Sequence, residues 1–257
     1  MVASGVQANA IGMSYEAYLN AYDWNNDDAE MAAAGGIGMN VSNHSYGSIG
    51  GWYYNDGNWY WYGDTQVSPV EDYGFGFYGS QCQTWDNIAY NAPYYLICKS
   101  AGNDRDDTGP GAGGGHYVYV GNDWAWSTVT RDPDGGVNHY DCIPWYANAK
   151  NIMTVGAVND YPNGYNGTGS VVMSSFSGWG PTDDGRIKPD IVANGVGLYS
   201  ATDAGNTSYI TISGTSMSTP NLSGSLNLLF RHYEATHSSI TPLADRKSTR
   251  LNSSHRL

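Results

Sequence analysis

One serine-rich segment combines the residue types that nucleophilic catalysis needs. It spans residues 213–224, where Ser216 follows Gly214 and Thr215 and precedes an apolar helical pattern. A serine at a strand-to-helix junction keeps its hydroxyl exposed, and the first helical turn offers unpaired N–H groups to a developing oxyanion. A Ser/Thr-rich helix cap without chemistry is the alternative interpretation.

This segment resembles the nucleophile motif of the subtilisin-like serine proteases (subtilases), and three further segments match that family in the same chain order. Residues 41–47 resemble the segment whose backbone pairs with bound substrate. Residues 99–104 resemble the strand and loop whose asparagine completes an oxyanion hole, and residues 174–193 resemble the stretch that leads to the nucleophile. The resemblance covers residues 1–235.

The resemblance implies a specific chemistry. Ser216 becomes the nucleophile that forms an acyl-enzyme, and the Asn103 side chain and the Ser216 backbone N–H become donors to the oxyanion. Peptide substrate would lie as an added strand between two pocket walls, which are Ser45, Tyr46, Gly47 and Ser100, Ala101, Gly102. The resemblance also implies protein or peptide substrates, no cofactor for the chemistry and a secreted, extracellular location.

A serine nucleophile needs a base, and the base needs an orienting carboxylate. In subtilases the order along the chain is Asp, His, Asn, Ser, yet no Asp-Thr-Gly or His-Gly-Thr-His segment precedes Ser45. Residues 1–6 resemble the helix that follows the catalytic histidine, so we expect the sequence to begin after both residues. The chain as given is therefore predicted to be inactive, with the intact gene supplying the Asp and the His.

Two motifs imitate the missing residues. Asp107-Thr108-Gly109 spells a catalytic triplet, but it lies in a polar, glycine-rich loop after Asn103 rather than at the end of an apolar strand. His44 is the histidine beside a pocket segment, and we expect it to have a structural hydrogen-bonding role.

Two further segments leave alternatives open. Residues 132–136, with Asp141, have the carboxylate density of a calcium loop but lack its full spacing. A solvated turn is expected there and no metal ligands are assigned, although structural calcium is common in subtilases. Residues 52–62 contain seven aromatic side chains. They form either a sugar- or peptide-stacking surface or, as we expect, an insertion that packs beside the cleft.

Alternating strands and helices must position these residues. The pattern predicts strands at residues 18–22, 39–42, 95–99, 152–158, 171–176 and 190–193, and a loop at 103–121. It predicts helices capped by Asp27 or Asp28, over residues 85–90, and from Ser216 onward, the last with one apolar face formed by Leu222, Leu226, Leu229, Phe230 and Tyr233. The fold class is α/β, a subtilisin-like three-layer fold with a mostly parallel sheet and helices on both faces.

Composition excludes several classes of protein. The formal net charge of −13 argues against nucleic acid as a partner, because phosphates require a basic face. No apolar run approaches the roughly 20 residues of a membrane helix. The sequence contains three cysteines, Cys82, Cys98 and Cys142, and their spacing is not that of a metal site. A disulfide between Cys82 and Cys142 is one alternative.

The predicted organisation is a partial catalytic domain at residues 1–244, with an aromatic insertion at about residues 48–80. Residues 245–257 change composition abruptly and resemble a translated sequencing adapter, so we exclude them from the fold. The alternative function is a non-catalytic binding module that uses the aromatic insertion on a degenerate subtilase fold. The oligomeric state stays open.

Overall fold

The computed structural model describes residues 7–238 and 241–242, so the interpretations of residues 1–6 and 245–257 fall outside it. Its helices are α1 (Asp27–Gly36), α2 (Ser80–Asn91) and α3 (Thr215–Thr236). Its strands are β1 (Val41–His44), β2 (Trp52–Asn55), β3 (Asn58–Trp61), β4 (Leu96–Ser100), β5 (His116–Val120), β6 (Asp123–Ser127), β7 (Met153–Val158), β8 (Ile191–Asn194), β9 (Leu198–Ala201) and β10 (Tyr209–Ile212). Short 3₁₀ helices lie at Ala8–Ala10, Gly136–Asn138, Trp145–Asn148 and Thr168–Ser170.

A parallel sheet in the order β1-β4-β7-β8 forms the centre of the molecule. In its register His44 of β1 lies opposite Lys99 of β4, and Ser100 of β4 lies opposite Val155 of β7. Parallel strands bring their carboxyl ends to one edge of a sheet. The residues that follow β1 and β4 therefore lie side by side.

Helices cover both faces of this sheet, because side chains that alternate along β4 pack against different helices. Its residues are all buried, as expected for a central strand of a parallel sheet. Leu96 and Cys98 share a buried cluster with Leu226 of α3. Ile97 points the other way and shares a cluster with Trp85 of α2. The predicted α/β fold, with a mostly parallel sheet between helices, is confirmed.

A second sheet, in the order β2-β3-β5-β6, contains the aromatic segment. The β2–β3 hairpin turns at Asp56 and Gly57, whose φ angles are +47° and +80°, the left-handed conformation that a two-residue hairpin turn requires. β3 pairs in parallel with β5, and β5 forms a second hairpin with β6. The prediction that residues 103–121 are all loop is therefore wrong, because β5 lies within them and pairs with a distant segment.

Most predicted elements are confirmed, with small shifts at their ends. Helices α1, α2 and α3 and strands β4, β7 and β8 overlap their predicted ranges. Strand β1 begins at Val41 rather than Met39, because the Met39 N–H donates instead to the Ala34 carbonyl (3.0 Å) at the end of α1.

Three sequence predictions are wrong. Residues 18–22 form no strand: Tyr18 is fully exposed and pairs with no strand, and β-forming residues need a partner. Residues 171–176 form no strand either, and Met173 makes an isolated bridge to Val158. On α3, Leu229 is 56% exposed, so the buried face is narrower than predicted.

The three cysteines are buried, and no disulfide joins Cys82 to Cys142. The Cys142 sulfur instead accepts a hydrogen bond from the Trp179 backbone N–H at 3.2 Å. Within the described part of the chain, no helix is both long enough and apolar enough to span a bilayer.

Candidate active site

Ser216 is the second residue of α3, directly after the turn that leaves β10. Its side chain is half-buried, and its Oγ donates a hydrogen bond to the Ser45 carbonyl at 3.2 Å. This bond ties the start of α3 to the segment that follows β1. Backbone N–H groups in the first turn of a helix have no helical acceptor, and the helix dipole is positive there.

Asn103 lies beside this helix start, and Thr215 holds its amide. The Asn103 Oδ1 accepts hydrogen bonds from the Thr215 backbone N–H (2.8 Å) and the Thr215 hydroxyl (2.9 Å). Since the oxygen is occupied, the NH₂ group is the free end of the amide. A Cβ added to Gly214 would lie 3.7 Å from both Asn103 Nδ2 and Ser216 N. Two nitrogen donors thus lie at equal distances from one point beside Gly214, and Met217 Sδ lies 3.5 Å from the same point.

Glycine is required at two positions of this arrangement. Gly214 has a φ of +154°, and its lack of a side chain keeps the space between the two donors open. Gly102 has a φ of +90°, and a Cβ there would lie 2.7 Å from Pro144 and 2.9 Å from Asp104 Oδ2. Any larger residue at Gly102 would displace the loop that carries Asn103.

The two predicted pocket walls lie at the carboxyl ends of neighbouring strands. Ser45, Tyr46 and Gly47 follow β1, whereas Ser100 ends β4 and Ala101 and Gly102 come next. Ser100 Oγ donates to the His44 carbonyl at 3.4 Å, which links the two strand ends. Tyr46 is half-buried, Gly47 is exposed and Ala101 is fully buried. The structure therefore brings all six residues to the edge that carries Ser216.

A buried lysine between the walls was missed by the sequence analysis. The Lys99 ammonium donates to Ser100 Oγ (2.9 Å) and to the Ser100 carbonyl (3.1 Å). It lies 5.9 Å from the centre of the Tyr46 ring. Loss of hydration lowers the pKa of Lys99 to about 7. A lysine inside the apolar run before Ser100 was the available signal, because such a residue is rarely buried without a specific partner.

The loop after Asn103 carries carboxyl groups that resist ionisation. Burial, followed by the neighbouring Asp107, raises the pKa of Asp104 to about 7. Burial also raises the pKa of Asp107, to about 6. The Asp107 carbonyl accepts a hydrogen bond from the Asp134 N–H at 2.9 Å, so the Asp-Thr-Gly triplet belongs to a loop that anchors other segments.

His44 has the structural role that was expected. The ring is buried, with Nε2 2.7 Å from Ser42 Oγ and Nδ1 2.7 Å from Tyr46 Oη. Tyr95 donates in turn to Ser42 Oγ at 2.7 Å. Burial, with Lys99 nearby, lowers the pKa of His44 to about 3. Both ring nitrogens are occupied and the ring stays neutral, so His44 does not serve as the base for Ser216.

In the Asp132–Asp141 region the expectation of a solvated turn is wrong for Asp134, which is buried. Asp134 Oδ2 accepts from the Trp52 N–H (2.8 Å), and the Asp132 carbonyl accepts from the Trp52 indole N–H (2.8 Å). Asp141 lies elsewhere, beside Asp183. Across residues 7–238 and 241–242, no three His, Cys, Asp or Glu side chains are grouped so that they could hold a metal ion.

Parts of the chain are similar in sequence to known proteases. The C5a peptidase of Streptococcus pyogenes serotype M3 is 36% identical over 114 residues, which are 44% of this chain and 9% of that protein. Pyrolysin of Pyrococcus furiosus is 45% identical over 60 residues, 23% of this chain and 4% of that protein. The chain thus spans less than a tenth of the length of these curated relatives.

Solved structures cover more of the chain at lower identity. The prenylagaramide maturation protease PagA is 17% identical with a TM-score of 0.48, covering 88% of this chain and 53% of that one. Sphericase is 18% identical with a TM-score of 0.44, covering 88% and 52%. The family model described as "Subtilase family" matches residues 2–253. That match spans nearly the whole chain, which therefore belongs to the subtilase family of serine proteases.

Proposed function

We propose that this chain carries the nucleophile and the oxyanion hole of a serine endopeptidase that hydrolyses peptide bonds through an acyl-enzyme on Ser216. The observation that carries the proposal is the pair of donors, Asn103 Nδ2 and Ser216 N, each 3.7 Å from one point at the start of α3. A binding module has no physical need for such a pair. Protein and peptide substrates are proposed on the basis of the family.

The reaction starts with attack of Ser216 Oγ on the scissile carbonyl carbon. The new C–O bond converts the carbonyl oxygen to an oxyanion, which accepts hydrogen bonds from Asn103 Nδ2 and Ser216 N. The C–N bond then breaks, the amine leaves with a proton, and water later hydrolyses the ester. Thr215 contributes by holding the Asn103 amide so that its NH₂ group faces the reacting centre.

The base that takes the Ser216 proton must come from outside the described residues. In residues 7–238 and 241–242, the one hydrogen bond of Ser216 Oγ is to the Ser45 carbonyl, and no histidine contacts it. β1 is an edge strand of the central sheet, and an unpaired edge can accept a further strand. We therefore expect the 257-residue chain alone to be inactive, and its active form to receive an Asp and a His from an added segment.

Labelling with a fluorophosphonate probe tests both parts of the proposal. The 257-residue chain should label no faster than its Ser216→Ala variant. A longer product of the same gene, with Asp-x-Gly and His-Gly-Thr-His segments ahead of residue 1, should label at Ser216. Efficient labelling of the short chain would contradict the missing base. Labelling of the longer product at another residue would contradict the nucleophile.

The non-catalytic alternative makes a different prediction about the genomic DNA upstream of Met1. Under that hypothesis the genomic DNA shows a start codon with a ribosome-binding site at Met1 and no upstream open frame that encodes the two motifs. An open frame that encodes both motifs supports the protease.

We also propose that the protein acts outside the cell, on the basis of its family. Immunodetection of the native protein in culture medium and cell fractions tests this proposal.

A further inference from the structure

The sequence contains three asparagine–glycine pairs, which are Asn163-Gly164, Asn166-Gly167 and Asn194-Gly195. Such a pair is chemically fragile, because the backbone nitrogen of the glycine can attack the side-chain amide carbon of the asparagine and close a five-membered succinimide ring. Glycine favours the attack, since it has no side chain to hinder it. Whether the ring closes in the folded protein therefore depends on how the two reacting groups are held.

Hydrogen bonds hold both reacting groups of the Asn194 pair at the end of β8. Asn194 Nδ2 donates to Asp160 Oδ1 (2.9 Å), and Asn194 Oδ1 accepts from the Val196 N–H (3.1 Å). The Gly195 N–H, whose nitrogen would have to attack, donates to the Val158 carbonyl at 3.1 Å. Ring closure would break all three bonds, so we expect the fold to protect Asn194.

One hydrogen bond restrains the Asn163 pair. The Gly164 N–H donates to the Tyr161 carbonyl at 3.0 Å and closes a turn. The attacking nitrogen is therefore occupied, although Asn163 itself is exposed. We expect Asn163 to react more slowly than an asparagine whose neighbouring glycine N–H is free.

The Asn166 pair differs from the other two. In the part of the chain that the structure describes, neither the Asn166 side chain nor the Gly167 N–H forms a hydrogen bond. The bonds at this pair involve other groups: the Asn166 N–H donates to Ser170 Oγ (3.2 Å), and the Ser170 hydroxyl donates to the Gly167 carbonyl (2.7 Å). Neither of these backbone groups reacts in ring closure, so both reacting groups of the Asn166 pair are free.

The loop around Asn166 also leaves room for the reaction. Residues 159–169 are all exposed, and Asn166 lines a surface cavity of about 450 Å³. A Cβ added to Gly167 would meet no atom within 4 Å, whereas a Cβ added to Gly195 would lie 2.6 Å from the Ala157 side chain. No packed segment therefore crowds Gly167, and water has access to the pair.

We propose that Asn166 is a site of spontaneous covalent modification, at which the folded protein converts asparagine to aspartate and isoaspartate. The Gly167 nitrogen forms a bond to Asn166 Cγ, and the bond between Cγ and Nδ2 breaks. The side-chain nitrogen leaves as ammonia, carrying the proton of the Gly167 N–H. Water then opens the succinimide at either carbonyl, so water is the one co-reactant.

The modified protein carries one more negative charge than its parent. That charge lies on a cavity that Asp160 also lines. Because an amide has become a carboxylate, ion-exchange chromatography should separate the modified form as a more acidic species that accumulates with the age of the sample.

Peptide mapping of the 257-residue chain after incubation at pH 7.5 tests this proposal. Trypsin releases Asn163 and Asn166 in residues 151–186 and Asn194 in residues 187–231, and fragment spectra separate Asn163 from Asn166. We expect Asn166 to convert at least about tenfold faster than Asn194, which must first lose its hydrogen bonds, and faster than Asn163. Isoaspartate should be among the products.

Two controls separate the effect of the fold from that of the sequence. In Asn166→Gln the ring would need six members, so conversion at residue 166 should cease while Asn163 and Asn194 react as in the parent. In concentrated urea the hydrogen bonds of the fold are lost, and the three asparagines should convert at rates within about threefold of one another.

Three outcomes would overturn the proposal. Equal rates at Asn166 and Asn194 in the folded chain would mean that the loop holds Asn166 as firmly as β8 holds Asn194. Faster conversion of Asn163 than of Asn166 would mean that a free glycine N–H does not decide the site. A difference between Asn166 and Asn194 that persists in urea would assign the rates to sequence. None of these outcomes depends on Ser216, so this proposal and the proposed function fail independently.

Discussion

The orientation of one amide group decides whether Ser216 has an oxyanion hole. An asparagine side chain offers an acceptor at one end and a donor at the other, and they differ by a simple rotation. Thr215 removes the ambiguity, because its backbone N–H can donate to Oδ1 but cannot accept from the NH₂ group. The residue before the nucleophile thus orients the donor for the oxyanion.

Replacing Asn103 by alanine should lower turnover far more than it lowers substrate affinity. In a form of the enzyme that has its base, we expect kcat for Asn103→Ala to fall by about 10²–10³, a magnitude taken from a subtilisin, with KM nearly unchanged. Thr215→Val is the graded control: it removes the hydroxyl but keeps the N–H, so kcat should fall about tenfold or less. A loss of less than threefold in Asn103→Ala, measured by steady-state kinetics, would refute the role of this side chain.

Asp104→Asn should stabilise the protein at alkaline pH and have little effect near pH 4. Burial raises the pKa of Asp104 to about 7 in the folded state, so the folded state binds more protons than the unfolded state between about pH 4 and 7. Stability therefore falls as pH rises through that window. Asparagine keeps an oxygen for the Asn103 N–H and cannot ionise.

Urea unfolding at pH 4 and pH 8 measures this difference. Asp203→Asn, at an exposed turn, is the control and should show no pH-dependent change in the free energy of unfolding relative to the parent. If Asp104→Asn were equally stable relative to the parent at both pH values, burial of this carboxyl would not control the stability of the loop.

At the scale of elements, the packing of α3 against the central sheet fixes the position of Ser216. The helix has 22 residues, and it is held against β4 and β7 by Leu222, Leu226 and Phe230, spaced four residues apart. This spacing keeps one narrow stripe of the helix on the sheet. The position of Ser216 therefore depends on contacts about two to four turns away.

Leu226→Ala should destabilise the protein by about 2–5 kcal/mol, because it leaves a cavity between α3 and the sheet. Leu226 is 3% exposed. The matched variant Leu229→Ala, on the 56% exposed side of the same helix, should change stability by less than about 0.5 kcal/mol. Chemical denaturation of both variants checks the pair, and similar losses would mean that the broader apolar face predicted from the sequence is the correct one.

Elements whose signal is local were predictable from the sequence, and those that depend on distant pairing were not. The buried run of β4, the helical spacing of α2 and the Ser216 motif each lie within a short stretch. β5 and β6 escaped prediction because β5 follows a glycine-rich loop and pairs with β3, more than 50 residues earlier. Residues 18–22 have the composition of a strand but lack a partner, which composition does not reveal.

The residues of the candidate site also fall into those that a local motif predicts and those that depend on distant contacts. Ser216, Asn103 and the two walls could be proposed from the sequence because each lies in a contiguous motif. Lys99 and the role of Thr215 depend on contacts between β4, the Asn103 loop and α3, which approach each other only in the folded chain.

At the scale of the whole molecule, buried acidic side chains hold β2 and the loops around it. Asp72 accepts from the Gly51 and Gly74 N–H groups at 2.7 and 2.9 Å, and Asp134 accepts from the Trp52 N–H. Burial, partly offset by that hydrogen bond, raises the pKa of Asp134 well above its ordinary value. Some of the acidic residues are therefore buried, where ionisation of the carboxyl group is costly.

The protein as a whole should be more stable at pH 5.5 than at pH 7.5. Burial raises the pKa of five carboxyl groups: Asp104, Asp107, Asp134, Asp141 and Asp183. Each of these groups lowers the free energy of unfolding as pH rises from its unfolded-state pKa to its folded-state pKa. Burial lowers the pKa of His44, His116 and Lys99, which favours the higher pH. We expect the five carboxyl groups to outweigh these three basic groups.

Thermal and urea unfolding at the two pH values, in the presence of a chelator so that no bound cation contributes, would show this difference. Asp134→Asn should reduce it, because asparagine can still accept from the Trp52 N–H but has no proton to lose. A parent protein that is equally or more stable at pH 7.5 would mean that the buried carboxyl groups ionise without penalty. The region around β2 would then be stabilised by the packing of Trp52 and Trp61 rather than by protonated carboxyl groups.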